Sequence, residues 1–438
     1  MSATLLVAHL LLFFGTFSLT YKDAVWGKFA RLAVAPILIL ATAKYEYEGR
    51  ETVKTMYFKP VLISIRAAMT WNHIFKAIDM SLVSLYDESP PMLVSHETGQ
   101  KEPLPKTLGG RFKYTLDQFF VCSGASFING KHWDYSPFHV ANYRSPFVSR
   151  KSFILSAVKR AMFHYILVDV GDTFVKRHLT FNLNSPNPIL DLPPWVQCVT
   201  GVYTAVYLQS VLSIIEAILG IILVGSGLST DLNNWPPLFN QTFLSPSISY
   251  FWSRGWHSIM RRRFERSSVP ILALFGLQSL SKSRGQHKPG EGAALGHHFI
   301  TVIFAFLTSA VLHSFMVRRI YEVSGGSVDR TSWTLFQLYT EFFFFAVQPL
   351  GIAVDRVFAS RGNSSTIKFV RRIWVWTFMV WTSRWISDTF AKTYTWHGKE
   401  VFVPISVVRG FLYGDWTGHE SVRVAFERLE MASKRFGS

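Results

Sequence analysis

The sequence predicts an all-α fold: a polytopic integral membrane protein with about 8–10 transmembrane helices, in a single domain over residues 1–438. Three observations support this prediction. Apolar residues make up 49% of the chain and charged residues only 17%. Several apolar runs approach the length that a helix needs to cross a hydrocarbon core. Neither an internal repeat nor the alternating pattern of a transmembrane β-strand is visible in the sequence.

The candidate spans are apolar runs separated by polar or proline-rich segments. The strong runs are Leu5–Leu19, Leu32–Ala43, Ser152–Val170, Trp195–Val224, Val269–Leu280, Phe299–Val317, Leu335–Val354 and Phe369–Ile386, and the weaker ones are Tyr57–Thr70, Tyr114–Ile128 and Val401–Leu412. As a helix, Trp195–Val224 is roughly 45 Å long, which requires tilting, a break near Gly201 or an end outside the membrane. Val269–Leu280 is too short to span upright and is a candidate re-entrant segment.

The net charge of +17 is spread over short basic clusters between the apolar runs: Lys22–Arg31, Arg254–Arg266, Lys282–Lys288 and Arg318–Arg319. That layout favours cytosolic loops and anionic lipid headgroups over nucleic acid. The first apolar run lacks a preceding basic segment and a clear cleavage site, so we interpret it as a retained signal anchor. The positive-inside rule then predicts a lumenal N-terminus and cytosolic residues 21–31. A multi-pass protein of the endoplasmic reticulum fits this pattern.

Covalent and metal chemistry receive little support from the sequence. Cys122 and Cys198 match no metal-binding spacing, and two buried thiols are favoured over a disulfide. Asn240 and Asn363 each begin a glycosylation sequon, although Asn240 stays unmodified if its loop faces the cytosol. We expect no metal site.

His313 lies near the middle of Phe299–Val317, a run of nineteen residues with no other ionisable side chain. An ionisable group at membrane depth costs free energy, so its presence favours a functional role. On a helix, His313 shares a face with Ser309 and Phe306. An apolar medium disfavours the charged imidazolium, and a neutral imidazole near a hydroxyl is a competent general base. The alternative is a packing histidine that bonds Ser309 or a backbone carbonyl.

A second histidine, His257, closes the segment Phe251–His257 (FWSRGWH), and a run of arginines follows it. If the segment is helical, His257 faces Arg254 and Arg261. A functional interpretation is a site for a phosphorylated cofactor, because guanidinium groups pair bidentately with phosphate oxygens. The alternative is an anchor at the membrane interface. The candidate cofactor-binding residues are Trp252, Arg254, Trp256, Arg261, Arg262 and Arg263.

The pattern Phe-Trp-x-Arg-x-Trp-His, followed by an apolar helix that ends in Leu-His (Thr308–His313), resembles the wax synthase-like branch of the membrane-bound O-acyltransferase family. The specific resemblance covers residues 250–315. In that branch the motif usually carries a second arginine where this chain has Gly255, and glycine is common at the place of Ala310. In the wider family the tryptophan-rich motif ends in asparagine at the place of His257.

The resemblance implies acyl transfer from acyl-CoA to a lipophilic alcohol within the bilayer, without a metal or a bound cofactor. It implies that His313 takes the hydroxyl proton as catalytic base. His257 would position the donor or stabilise the tetrahedral intermediate. Fungal members of the branch commonly use acetyl-CoA to acetylate terpenoid or steroid-like secondary metabolites. Plant relatives transfer long acyl chains to fatty alcohols, so a long-chain wax ester synthase is the alternative enzyme.

The alternative from another class is a membrane transporter or channel, with His313 and Glu216 as a relay. The sequence gives little support for it, because no pair of interrupted helices related by a repeat is visible. Glu216 and Glu341 are interpreted as tunnel-lining groups or as buried polar contacts between helices.

Two further groups of residues receive weaker predictions. Trp374, Trp381 and Trp385 recur at helical spacing beside Arg384, which is typical of an interfacial anchor. The segment Tyr114–Tyr135 loosely resembles the family's upstream Arg-Gly-x-Gly-Trp region. Its possible contributors to the site are Asn129, His132 and Trp133.

Overall fold

The computed structural model describes residues 3–54, 59–84, 90–120, 125–128, 130–178, 185–257, 259–275, 291–324, 331–362, 364–393, 403 and 405–416. Nearly all regular structure in these residues is helical. The α-helices are α1 (Ala3–Ser18), α2 (Val25–Lys54), α3 (Lys59–Ile78), α4 (Leu108–Phe120), α5 (Phe138–Ala141), α6 (Arg150–His178), α7 (Pro194–Gly225), α8 (Ile248–Tyr250), α9 (Arg261–Ser267), α10 (Val269–Leu274), α11 (Glu291–Ser324), α12 (Leu335–Leu338), α13 (Thr340–Ala346), α14 (Gln348–Ser360), α15 (Ser365–Lys392) and α16 (Val407–Tyr413).

Within the described residues, five helical segments are long and apolar enough to cross a membrane. They are Ala3–Tyr21, Val25–Gly49, Pro194–Gly225, Phe299–Glu322 and Thr340–Ser360. Helices α3, α6 and α15 reach comparable lengths with more charged residues. The prediction of an all-α membrane protein is confirmed, and the number of spans stays a prediction.

The longest apolar run forms one continuous helix, α7, without a break near Gly201. A break there is therefore wrong as an explanation of its length. A Cβ atom on Gly201 would lie 3.2 Å from the backbone nitrogen of Arg384 and would collide with the Ser383 hydroxyl, so glycine permits the close approach of α15. In the run Val269–Leu280, the described helix is only α10, of six residues. The end of that run lies outside the described residues.

A two-stranded antiparallel sheet packs beside the helices. Strand β1 (Leu93–Ser95) pairs with β2 (Lys131–Trp133), and Leu93 lies opposite Trp133. The indole of Trp133 is fully buried against Leu93 and Tyr114. Trp133 is therefore a core residue of this small unit. Because β2 leads directly into α5, the sheet determines where the short helix α5 lies.

Basic residues from distant parts of the chain meet at one end of the helices. Lys22, Arg31, Arg262 and Arg266 line a single cleft together with Asp79, which follows α3. At the opposite end of α2, Glu46 lies 3.2 Å from Arg319 near the end of α11. Helices α2 and α11 therefore both point toward the Glu46 end, away from the basic end.

Two polar residues of the apolar runs contact other helices. Glu216 on α7 lies 3.5 Å from Arg160 on α6 and accepts a hydrogen bond from the backbone N–H of Leu238. Arg384 is buried, donates to the Gln197 side chain at 2.6 Å and stacks on Trp381. An interfacial anchor at Arg384 is therefore wrong, since its charged group bridges α15 and α7 inside the protein.

Candidate active site

His313 lies in the second half of α11, which packs against α3, α9 and α13. The turn before it is sealed by small and apolar side chains, since Ala310 and Leu312 are buried in the core. The imidazole itself is half-buried. The helix therefore presents one polar ring at a site that the surrounding residues leave partly open.

The hydrogen bonds of His313 determine its tautomer. Nδ1 lies 2.8 Å from the backbone carbonyl oxygen of Ser309, one turn earlier, and 3.4 Å from the Ser309 hydroxyl. A carbonyl oxygen only accepts, so Nδ1 carries the hydrogen of the neutral ring and donates it. Nε2 then keeps its lone pair. The contact expected for a packing histidine is present, and it leaves the other nitrogen available as a base.

An aromatic group holds the His313 ring in place. Phe345 on α13 stacks on the imidazole, with ring centroids 4.1 Å apart and an angle of 28° between the planes. Trp252 packs against Phe345 and also against Phe306, which shares the His313 face of α11. The tryptophan motif and the histidine helix therefore meet through Phe345.

A buried glutamine fixes the indole of Trp252. The Nε1–H of Trp252 donates to Gln348 Oε1 at 2.9 Å, and Gln348 Nε2 donates to the Phe344 carbonyl at 2.9 Å. Gln348 is fully buried. Because its amide nitrogen faces a carbonyl, its oxygen must face the indole. The position of Trp252 therefore depends on the junction between α13 and α14.

The segment around His257 departs from the expected α-helix. Residues Phe251–Gly255 form one π-helical turn, and Trp256 has an extended backbone. The expectation that His257 faces Arg254 and Arg261 at helical spacing is therefore wrong, because the helix ends before His257. Trp256 instead stacks on Phe251, with ring centroids 5.6 Å apart.

Gly255 allows this turn to pack against the preceding loop. Its carbonyl accepts hydrogen bonds from the Thr242 hydroxyl at 2.7 Å and from the Asn240 backbone N–H at 3.1 Å. A Cβ atom at Gly255 would lie 2.9 Å from the Ser245 hydroxyl. A second arginine at this position would therefore require the loop to move. The same contacts place the predicted sequon Asn240 against the motif.

His257 lies close enough to His313 for the two rings to interact electrostatically. The ring of His257 is half-buried between Phe239 and Trp256. Burial, and then the nearby His313 ring, lower the pKa of His257 to about 4. His257 is therefore neutral at pH 7. Within the described part of the chain, its buried Nδ1 has no hydrogen-bond partner.

The arginines of the motif point in two directions. Arg254 is exposed, and its guanidinium lies 5.2 Å from the Phe138 ring. Arg261 bonds Glu265 at 2.8 Å and the Ser253 carbonyl at 3.2 Å. These two arginines lie near α5, which the sequence did not associate with the site.

The remaining arginines have partners on the other side of α9. Arg262 pairs with Asp79 at 3.2 Å, and Arg266 pairs with the same carboxylate. Arg263 is buried and donates to the Ile259 carbonyl. The structure thus separates Arg254 and Arg261 from Arg262 and Arg263, four residues that the sequence treated as one group.

A buried polar group lies beside His313 on the side of α13. Glu341 is fully buried, and its Oε2 accepts a hydrogen bond from the Thr389 hydroxyl at 2.8 Å. The hydroxyl of Ser314, the residue after His313, is buried and interacts with the Glu341 carboxylate. Glu341 thereby joins α13 to α15 within one turn of Phe345.

Sequence reasoning missed Phe345, Gln348 and His139. The first two lie in an apolar run with no motif, where phenylalanine is the commonest residue and one glutamine has no visible significance. His139 follows the segment Tyr114–Tyr135 that loosely resembles the family's upstream region. Within that segment, the ring of His132 packs against the ring of His96. Asn129 and Cys122 lie outside the described residues, as do Asn363 and the side chains of His297 and His298. Cys198 is a free thiol.

The chain is similar to known proteins in the region of the two histidines. Residues 235–344 match the model of the membrane bound O-acyl transferase family, and this region contains both His257 and His313. The chain is 24% identical to acetyltransferase ple2 of Rhodocybe pseudopiperita over 296 residues, which cover 66% of this chain and 70% of that protein. It is also 24% identical to acetyltransferase eriL of Hericium erinaceus over 327 residues, covering 73% and 76%. No solved structure matches the chain.

The matched region contains the two histidines that the fold brings together, and the chain carries the long apolar helices of a multi-pass membrane protein. Both relatives are acetyltransferases by name. The chain is therefore similar to the membrane bound O-acyl transferase family over residues 235–344, and to two proteins named as acetyltransferases over a longer stretch.

Proposed function

We propose that this protein transfers an acetyl group from acetyl-CoA to the hydroxyl of a lipophilic acceptor, such as a terpenoid or steroid-like secondary metabolite. The observation that carries the proposal is the state of His313: Nδ1 donates to the Ser309 carbonyl, so Nε2 has a free lone pair at membrane depth. The names of both relatives favour acetyl over a long acyl chain.

The proposed reaction begins with the acceptor hydroxyl beside His313. Nε2 takes the hydroxyl proton as the oxygen attacks the thioester carbonyl, which forms a tetrahedral intermediate with a negative oxygen. Collapse of the intermediate breaks the carbon–sulfur bond and expels the CoA thiolate. The thiolate takes the proton from His313, so the products are an ester and CoA-SH, and the imidazole is neutral again.

His257 stabilises the negative oxygen in this scheme. A neutral imidazole carries one N–H, which it can donate to the oxyanion as charge develops. The low pKa of His257 supports this role, because a neutral ring has both a donor and an acceptor at pH 7. The residues around it, Trp252, Trp256 and Phe239, exclude water and thereby limit hydrolysis of the thioester.

The CoA phosphates bind at the basic end of the helices in this proposal. Arg254 and Arg261 are the best placed of the motif arginines, because Arg262 and Arg263 face other partners. The cleft that contains Lys22 and Arg31 supports a cytosolic position for this end by the positive-inside rule. Donor and acceptor then reach His313 from different environments, the cytosol and the bilayer.

Microsomes from cells that express the protein, supplied with labelled acetyl-CoA and a panel of terpenoid alcohols, test the proposal. We expect ester formation with the wild type and at least about a hundredfold less with His313→Ala at equal protein abundance. His164→Ala is the matched control, since His164 also contacts a hydroxyl, that of Ser210 at 3.0 Å, in a helix remote from the motif.

The same microsomes distinguish the alternatives. Esters from palmitoyl-CoA and a fatty alcohol, without esters from acetyl-CoA, would identify a wax ester synthase instead. Uptake of the alcohol into vesicles without any ester would identify a transporter. Either result would overturn the proposed acetyl transfer.

A further inference from the structure

His139 lies on the short helix α5, outside the region that matches the family model. Both ring nitrogens are buried, and neither has a hydrogen-bond partner within the described residues. A buried polar atom without a hydrogen-bond partner destabilises the folded protein. A ligand atom that accepted a hydrogen bond from this ring would remove part of that cost.

Two arginines of the motif lie close to His139. Arg254 extends over the ring of the neighbouring residue, Phe138, and also lies 5.9 Å from the Tyr250 ring. Burial, and then the positive charges of Arg261 and Arg254, lower the pKa of His139 to about 4. The neutral ring therefore lies in a positive field that favours an anion over a cation.

The cluster His139–Arg254–Arg261 differs from the other arginines of the motif. Arg262 shares the Asp79 carboxylate with Arg266, so its charge is balanced by a fixed anion inside the protein. Arg254 is exposed, and its guanidinium lies near the Phe138 and Tyr250 rings, which leaves its N–H groups able to contact a ligand. Arginine N–H groups and an imidazole N–H are the donors that phosphate oxygens accept.

We propose that His139, with Arg254 and Arg261, forms the binding site for the phosphate groups of the nucleotide part of the acyl-CoA donor. This inference rests on the proposed function. It adds a residue outside the tryptophan motif to the donor site and restricts the phosphate contacts to one face of the arginine run. His139 is a binding residue here and takes no part in the chemical step.

Two acyl donors that differ in their phosphate groups test the inference directly. Acetyl-CoA carries the nucleotide phosphates, whereas S-acetyl-pantetheine carries the same thioester without them. For purified His139→Leu in vesicles of neutral phospholipid, we expect the KM for acetyl-CoA to rise about tenfold, the loss expected for one hydrogen bond to a charged group. We expect kcat for acetyl-CoA, and both constants for S-acetyl-pantetheine, to stay at the wild-type values. His139→Lys should keep the KM near wild type, because it restores an N–H donor.

Two further variants control for a loss of folding. Arg254→Gln changes an exposed side chain and should give the same selective rise in the KM for acetyl-CoA. His132→Leu alters a histidine of the same segment that contacts His96, and it should change the KM for neither acyl donor. Equal effects of His139→Leu on both acyl donors, or no effect on either, would overturn the inference. Absence of any ester from either wild-type reaction would instead overturn the proposed function.

Lipid headgroups are the other source of phosphate oxygens. Vesicles with increasing phosphatidic acid distinguish the two sources. If the site binds a lipid phosphate, phosphatidic acid will change turnover of S-acetyl-pantetheine by the wild type and not by His139→Leu. That outcome would contradict a nucleotide site.

Discussion

The two histidines of the site are held in different ways. The ring of His313 is fixed by the Ser309 carbonyl and by the stacked Phe345, so one nitrogen always presents a lone pair. His257 lies after a π-helical turn, and its buried Nδ1 has no partner among the described residues. A fixed tautomer suits a residue that takes a proton. An imidazole without a fixed partner suits a residue whose hydrogen bond forms with the substrate.

The strongest test of this difference is to remove the fixed lone pair. We expect His313→Ala to lower kcat by about 10²–10⁴-fold, the contribution typical of general base catalysis. The KM for acetyl-CoA should change little, because His313 contributes to the transition state and not to binding of the phosphates. Steady-state kinetics with the purified protein measure both constants.

The matched variant is His313→Asn, which keeps a polar side chain without a basic nitrogen. It should be as inactive as His313→Ala. Activity within tenfold of wild type in either variant would show that the base lies elsewhere.

His257 should respond differently to the same substitutions. His257→Leu removes the N–H donor, and we expect kcat to fall by about 10²–10³-fold, as for loss of one oxyanion donor. His257→Asn keeps an N–H donor, and asparagine occupies this place in the wider family that the motif resembles. We expect it to retain at least ten times the kcat of His257→Leu, an approximate ratio based on one retained hydrogen bond.

The ratio of the His257→Asn activity to the His257→Leu activity measures how much the N–H donor of His257 contributes to catalysis. A ratio near one would mean that the ring acts through packing or as a base. Thermal unfolding of both variants, followed by intrinsic tryptophan fluorescence, controls for loss of the fold.

The hydrogen bond that positions Trp252 near His313 should have a smaller effect on kcat. Gln348→Leu removes the acceptor for the indole N–H, and we expect kcat to fall about tenfold, as for loss of one buried hydrogen bond. Trp252→Phe removes the donor of the same bond. If the bond positions Phe345 against His313, the double variant will be no worse than the more damaging single variant. Fully additive losses would show that the two side chains act independently.

The sequence was sufficient for the histidine and its immediate neighbours. A spacing of four residues on a helix is enough to predict that Ser309 contacts His313, and the contact is present. The apolar runs likewise predicted helices, because their length and composition do not depend on tertiary contacts. The pairing of His257 with His313 needed the family resemblance, since the two residues belong to different segments.

Other parts of the site depend on contacts that the sequence does not encode locally. The helical prediction for His257 failed because Gly255 packs against Ser245, and its carbonyl binds Thr242, so the turn ends there. Phe345 reaches the site through the crossing of α13 with α11, and Gln348 lies at the start of the next helix, α14. His139 approaches Arg254 because the β1–β2 sheet places α5, and two strands of three residues leave a weak pattern in the sequence.

The arginine run offers the smallest expected effect on catalysis and the clearest separation of roles. Arg262→Gln leaves Asp79 with Arg266 as its remaining described partner, so the loss is one of stability. We expect the KM for acetyl-CoA to change less than about twofold, and the free energy of unfolding to fall by about 1–3 kcal/mol, because a charge-assisted hydrogen bond in a mostly buried pair is lost. Arg261→Gln, one position earlier, should give the opposite pattern, a raised KM with little change in stability, because its partner Glu265 is half-exposed.

Kinetics and thermal unfolding of the two variants, measured side by side, decide between a phosphate site on one face of α9 and a site shared by the whole run. If Arg262→Gln raised the KM as much as Arg261→Gln, the Asp79 pair would have to open when the donor binds, and the division of the two faces would be wrong.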